Sequence, residues 1–388
     1  MKIVLFTRSL NVGGAERQFC ELVKYLHRSG NEVTVMTYYS GGKLEEELRT
    51  IPGLQLLSMG STGAWHSLLL TLKVAAYCRR IAADVLYCFI GHEPAYVTKF
   101  LTKTKTVIRI SNGGMDFSQN NPKSKILLRL GRFFSIWTDL IVSNSLAGQR
   151  FYQSFGYNPA KMVIVHNGFD VRRFRPDADL RLQSRSEMKV SEQTFVYGYV
   201  ARFHPEKGHK FFLEAAVDLS TVSKDWKLVF AGGGSKEFKI ELQKIAEQLG
   251  LDEHCIWMDD CMDMPLLYNG LDACVLVSPA EGFPNVIGEA MSVGIPCIAT
   301  KVGEVSELLG SDEFIVEYGD VSGLSANLRK IVESPSESLK EIGEQNRKRM
   351  VEKFSVEQCG EKYLHLFDAL IYGGDASKGG SITTAVED

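Results

Sequence analysis

Ala273-Cys274-Val275-Leu276-Val277-Ser278-Pro279-Ala280-Glu281-Gly282-Phe283-Pro284-Asn285-Val286-Ile287-Gly288-Glu289-Ala290-Met291 is the stretch whose reading decides the fold. Its first five residues are uniformly apolar, as in a strand buried on both faces of a parallel sheet, and the Pro, Asn and Gly that follow read as a loop opening a helix. Asn285 suits the N-cap, so the amides of Val286, Ile287 and Gly288 are expected to stand open at the carboxyl end of the strand. A helix N-terminus carries about half a positive charge, and a phosphate placed there accepts several backbone hydrogen bonds at once. Glu281 in the loop and Glu289 in the helix bracket that position. Carboxylates repel phosphate but accept hydroxyls in pairs, so the hydroxyls of a sugar or a ribose fit them. The competing reading makes Glu281 a loop cap and Glu289 a solvated first-turn acid.

Working outward, a chain of 388 residues is long for one core and comfortable for two α/β domains. Its 45% hydrophobic and 23% charged content is that of an ordinary soluble globular protein. The apolar stretch 65–90 is broken by Lys73, Arg79, Arg80 and Asp84, so it does not read as a membrane span. Met1 to Phe6 reads as a strand and not a signal peptide, because an amphipathic helix follows it. The eight cysteines show no paired spacing; Cys88, Cys274 and Cys297 lie in apolar runs and read as buried thiols of a reducing cytosol. Charge is uneven: Met1 to Asp170 holds 20 Lys and Arg against 11 Asp and Glu, and the remainder 24 against 36. A basic half joined to an acidic half points to an anionic partner for the first, with a solvated basic face as the alternative.

The chain opens as a βαβ unit. Ile3 to Thr7 is a strand, Asn11 to Glu16 a glycine turn, and Ala15, Phe19, Leu22, Val23 and Leu26 recur at helical spacing before the strand Glu32 to Tyr39. Gly13-Gly14 allows a backbone to approach a ligand closely, although many structural turns share the pair. Strands are expected at Leu54 to Ser58, Val85 to Ile90, Thr106 to Ile110 and Leu140 to Ser143. His92, just past one of these strand ends, is a candidate acid/base group or phosphate contact, or a structural histidine. Lys123, Lys125, Arg129 and Arg132 interleave with large apolar residues up to Phe133, Phe134 and Trp137, a pattern that suits a membrane interface or simple packing on a sheet.

The polar stretch Arg172 to Ser191 reads as the boundary between domains. A second series then begins with the strand Phe195 to Val200 and the loop Ala201 to Gly208, from which Arg202 and Lys207 can converge on an anion at the helix after Pro284. A further strand, Lys227 to Ala231, ends in Gly232-Gly233-Gly234. Asp259, Asp260 and Asp263 lack a convincing set of metal ligands around them, and no metal site is expected.

At this point the chain resembles the retaining GT-B glycosyltransferases of family 4, the large family of bacterial enzymes of lipopolysaccharide, capsule and glycan assembly. The resemblance rests on Gly-Gly-Ala-Glu at Gly13 to Glu16, Asn-Gly-x-Asp-x-x-x-Phe at Asn167 to Phe174, Arg-x-x-x-x-Lys-Gly at Arg202 to Gly208 and Glu-x7-Glu at Glu281 to Glu289. It implies an α/β GT-B fold of two facing, doubly wound Rossmann-like domains. The expected divisions are an acceptor-binding domain 1–170, a linker 171–190, a nucleotide-sugar domain 191–352, a helix 353–371 returning to the first domain, and a disordered tail 372–388. It implies that Arg202 and Lys207 hold the donor diphosphate, that Glu281 binds the transferred sugar, and that Glu289 binds the ribose. Gly14, Gly282, Phe283, Pro284, Asn285 and Val286 would approach the donor. Many members carry a His near Val107 to Ser111, where this chain has Arg109, Ile110, Ser111 and Asn112. His92 or Arg109 would stand in for it, with Gly13 and Asn112 on the acceptor side.

The implied reaction retains configuration at the anomeric carbon. Cations and a helix terminus would neutralise the leaving diphosphate without a metal or cofactor, and a departing phosphate oxygen could take the acceptor proton. The donor is expected to be a nucleotide diphosphate sugar, UDP-sugar ahead of GDP-sugar. The acceptor is expected to be a hydroxyl of a lipid-linked saccharide, reached by a cytoplasmic enzyme peripheral to an anionic membrane, with no nucleic-acid partner. A soluble sugar acceptor, or a sugar-nucleotide epimerase, is the alternative.

Overall fold

The computed structural model describes residues 1–11, 13–60, 67–110, 122–259 and 263–374, with the backbone alone at 67–68 and 122–127. The chain divides into two compact units: Met1–Gly168 together with the chain from Val356 onward, and Phe169–Ser355.

The first unit is a parallel sheet of β1 (Lys2–Thr7), β2 (Glu32–Thr37), β3 (Gln55–Ser58), β4 (Val85–Cys88), β5 (Lys105–Ile110), β6 (Leu140–Ser143) and β7 (Met162–Ile164), in the order β3-β2-β1-β4-β5-β6-β7. Its helices are α1 (Gly14–Arg28), α2 (Lys43–Arg49), α3 (Ser67–Ile81), α4 (Glu93–Leu101), α5 (Pro122–Ser135) and α6 (Leu146–Ser154). Alternate strand residues serve opposite faces. Ile3, Leu5, Tyr87, Val107 and Val142 pack with Phe19, Val23 and Leu26 of α1, while Val4, Leu86, Ile108 and Ile141 pack with Val74 and Cys78 of α3. Each fully buried aliphatic side chain contributes about 1.5 to 3 kcal/mol, which is why the strands read as unbroken apolar runs.

The second unit repeats the plan with β8 (Phe195–Val200), β9 (Trp226–Ala231), β10 (Cys255–Met258), β11 (Ala273–Leu276), β12 (Cys297–Thr300) and β13 (Ile315–Val316), in the order β10-β9-β8-β11-β12-β13. Its helices are α7 (Ala178–Met188), α8 (His209–Ala216), α9 (Lys236–Gln248), α10 (Met264–Asn269), α11 (Asn285–Val293), α12 (Val305–Leu309), α13 (Val321–Glu333) and α14 (Ser336–Lys353). The last helix, α15 (Val356–Tyr372), belongs to the first unit. There Tyr363 meets Tyr87, hydroxyl to hydroxyl, at 3.0 Å, and Phe367 is fully buried.

The stretch 171–190, expected as a linker, contains a helix built into the second unit. Asp177 caps α7 by accepting the amides of Asp179 and Leu180. Arg185 is 1% exposed and bonds Asp272 at 3.1 Å and the carbonyl of Gly270 at 3.0 Å. The polarity that suggested a linker comes from charges whose partners lie some 90 residues away in sequence. The described cysteines are free thiols, Cys88, Cys274 and Cys297 among the buried ones.

Candidate active site

In the second unit β8 and β11 lie side by side, and the chain leaves them in opposite directions, β8 towards β9 and β11 towards β12. Loops that diverge at the carboxyl ends of such a pair open a crevice, the usual ligand position of a doubly wound sheet. The loop after β8 carries Arg202 and Lys207, and the loop after β11 carries Glu281.

These two loops meet. Lys207 donates from Nζ to Glu281 Oε1 at 2.6 Å, with 24% and 19% of the two side chains exposed. Gly208 makes the approach possible: its φ is +75°, and a Cβ there would sit 2.0 Å from the Val277 carbonyl oxygen. The Tyr199 hydroxyl donates to the Lys207 carbonyl from within the core. The backbone of Lys207 is therefore fixed on both sides, and its ammonium is held by Glu281. Arg202 is exposed and makes no hydrogen bond or ion pair among the described residues.

The start of α11 corrects one expectation. Pro284, not Asn285, occupies the N-cap, in extended conformation and without a side-chain bond, and Asn285 is the first helical residue. The Pro284 carbonyl takes the amides of Ile287 at 3.2 Å and Gly288 at 3.4 Å, so the first turn uses two of the three amides expected to stand open. Proline fixes its own φ near the value found, −79°, and so sets the entry of the helix in place of a side-chain cap. Phe283 is buried and stacks on Phe169 at 6.2 Å, while Gly282 gives its carbonyl to the Glu304 amide at 3.2 Å. Glu289 accepts a hydrogen bond from the buried Tyr268 hydroxyl at 2.9 Å. Asp259 is paired with Lys239 at 2.7 Å and Asp263 caps α10; Asp260 lies outside the described residues.

In the first unit Gly13 is the N-cap of α1 and Gly14 its first residue. His92 occupies the N-cap position of α4, and its Nε2–H donates to the Arg109 carbonyl at 2.7 Å. Burial lowers the His92 pKa, so the ring is neutral and its Nδ1 retains a lone pair. The structure thus joins the two candidates for the missing histidine through a backbone contact. The Arg109 side chain itself is buried, with Nη2 donating to Asn167 Oδ1 at 2.5 Å. Asn112 and the side chains of Lys123 and Lys125 lie outside the described residues. Arg129 and Arg132 are exposed, beside Phe133 at 54% and Ile136 at 55% exposure.

Residues 12–173 match the model of Glycosyltransferase Family 4. Residues 181–349 match that of Glycosyl transferases group 1. The chain belongs to the family 4 glycosyltransferases. It is 31% identical over 156 residues to the lipopolysaccharide core biosynthesis mannosyltransferase LpsB of Rhizobium meliloti (strain 1021), covering 39% of this chain and 44% of that protein. It is 24% identical over 216 residues to the UDP-Gal:alpha-D-GlcNAc-diphosphoundecaprenol alpha-1,3-galactosyltransferase of Escherichia coli, covering 54% of each. Among solved structures, Anabaena Alr3699/HepE in complex with UDP and glucose aligns with a TM-score of 0.81 at 20% identity, covering 95% of this chain and 100% of that one. The fold of this glycosyltransferase is GT-B.

Two supports of the site escaped the reading of the sequence. Nothing in the local pattern signals that Tyr268, in a short helix, reaches Glu289. Gly303-Glu304 follows an apolar run as Glu281 does, and the same strand-end reasoning could have found it. Gly303 has φ +51°, and a Cβ there would sit 2.3 Å from the Gly282 carbonyl oxygen, so this loop presses on the Glu281 loop backbone to backbone.

His209, next to Gly208, is 1% exposed, and burial first, then Lys207, pushes its pKa down to about 4. Above pH 6.5 the ring is neutral both folded and unfolded. As pH falls from 6.5 to about 4 the unfolded chain takes up the proton first, so stability is lost across that window. Between pH 7 and pH 5 this amounts to about 2 kcal/mol. His209→Phe is expected to lose correspondingly less stability than wild type over the same interval, measured by urea unfolding at the two pH values. An equal loss in both proteins would mean that His209 is not the titrating group.

Proposed function

We propose that this enzyme moves a hexose or N-acetylhexosamine from a nucleotide diphosphate sugar, UDP-sugar ahead of GDP-sugar, to a hydroxyl of a lipid-linked saccharide, with retention and without a metal. The observation that carries the reading is the meeting of Lys207 and Glu281 at the β8–β11 crevice, with exposed Arg202 on the same loop and α11 starting four residues after Glu281. Arg202 and Lys207 would hold the diphosphate, where negative charge grows as the bond to the sugar breaks. Glu281, Gly282, Phe283, Pro284, Asn285 and Val286 would place the sugar and phosphates, and Glu289, oriented by Tyr268, would take ribose hydroxyls. UDP in the HepE complex and the diphosphoundecaprenol acceptor named for the Escherichia coli relative favour these substrates.

A membrane-facing role for the first unit is supported by an exposed aromatic cluster beside Arg129 and Arg132. Phe133 and Phe100 each contact Trp137, at 4.9 and 5.1 Å, and Phe100 and Leu101 are 62% and 51% exposed. No described helix is long and apolar enough to cross a membrane. Rings at the headgroup level with arginines around them suit a peripheral, cytoplasmic-face position, each cation near an anionic surface contributing about 1 kcal/mol. The test is transfer from UDP- and GDP-sugars to a polyprenyl-diphosphate saccharide in excess chelator, with anionic vesicles present or absent. The expected result is an axially linked product from an axial donor, formed without added metal and faster on anionic vesicles. An inverted product, a strict metal requirement, conversion of donor without acceptor, or transfer to free sugars alone would overturn the corresponding part.

A further inference from the structure

Arg109 projects from β5 into the interior of the first unit, where it is 3% exposed. Its guanidinium lies 3.9 Å over the Phe89 ring, and Nη2 donates to the Asn167 side chain at 2.5 Å. Nε and Nη1 are buried and have no hydrogen-bond partner, and no carboxylate pairs with this cation among the described residues. Arginine does not give up its proton in a protein, and a buried cation without counter-charge costs several kcal/mol. A partly open cavity of about 20 Å³ borders it, lined also by Gln18, Glu21, Phe89, His166 and Tyr363. That is room for one water or one ion of similar size. The carboxylate on the lining, Glu21, is engaged by Lys24 at 2.8 Å.

We infer that Arg109 and this cavity form a binding site for one small monovalent inorganic anion of chloride size. The anion accepts hydrogen bonds from Nε and Nη1 and supplies the missing counter-charge. A water could accept the same bonds but would leave the charge uncompensated in a low-dielectric interior. His166 adds no competing cation at neutral pH, since burial pushes its pKa down to about 4. The site ties α1, the end of β5 and α15 of the first unit together through one ion, so its consequence is stability and not chemistry.

The test is thermal unfolding of the full chain at fixed ionic strength in sodium chloride and in sodium gluconate, whose anion is too large for the cavity. Wild type is expected to gain roughly 2 to 4 °C in chloride, saturating with concentration. Arg109→Met, which keeps length and removes charge and donors, is expected to show no difference between the salts. Crystals grown in sodium bromide are expected to show anomalous scattering beside Nε and Nη1 of Arg109. Equal midpoints in the two salts for wild type, or a chloride gain retained in Arg109→Met, would overturn the site. Should that variant not fold, the absence of bromide beside Arg109 in the wild-type crystal would do so instead.

Discussion

Lys207→Ala is expected to lower turnover roughly 30- to 1,000-fold, the equivalent of about 2 to 4 kcal/mol of transition-state stabilisation, while leaving the fold intact. The size follows from how the ammonium is held. Gly208 and Tyr199 fix the backbone of the loop, and Glu281 holds Nζ at 2.6 Å, so the charge needs little reorganisation to meet a developing phosphate charge. Arg202 is exposed and must be ordered by the ligand, so Arg202→Ala should cost donor affinity as well as turnover. The variants are compared by steady-state kinetics and by unfolding midpoint. Near-wild-type turnover in a folded Lys207→Ala would remove that residue from the phosphate site.

Asp272→Ala is expected to destabilise the second unit by about 3 to 5 kcal/mol. Its carboxylate takes the Val196 amide at 2.8 Å, Arg181 at 2.9 Å and Arg185 at 3.1 Å, and Arg185 is 1% exposed. Removing it leaves a buried guanidinium with carbonyl acceptors and only the half-exposed Glu192, 3.6 Å away, as counter-charge, and orphans an amide at the start of β8. The double variant Asp272→Ala, Arg185→Met should recover part of the loss, because the uncompensated charge is then gone. Chemical denaturation of the three proteins measures this. A single variant within about 0.5 kcal/mol of wild type would show that the backbone carbonyls and Glu192 suffice.

The strands were legible because a sheet covered on both faces demands uninterrupted apolar runs, and Ala273 to Val277 or Val85 to Cys88 can hardly be anything else. The α1 helix was legible from the spacing of Phe19, Leu22, Val23 and Leu26. The α7 helix was not, because Arg185 is an ordinary polar residue until Asp272 is placed beside it. The N-cap of α11 departs from its local pattern for a related reason: Asn is the better cap in isolation, but Pro284 has its φ already set and its carbonyl closes the first turn.

The sequence by itself determined the class of this protein: two α/β units of parallel strands, charged residues and glycines at strand ends, and the motifs of a family 4 glycosyltransferase. These depend on composition and spacing along the chain, which hydrophobic periodicity and local turn chemistry express directly. The tertiary structure alone decided which of those residues meet. Lys207 reaches Glu281 across 74 positions, Tyr268 orients Glu289 from another helix, and Arg109 turns inward to a cavity while its carbonyl holds His92. Such contacts are set by strand order in the sheet, and strand order is a property of long-range packing that no local pattern carries.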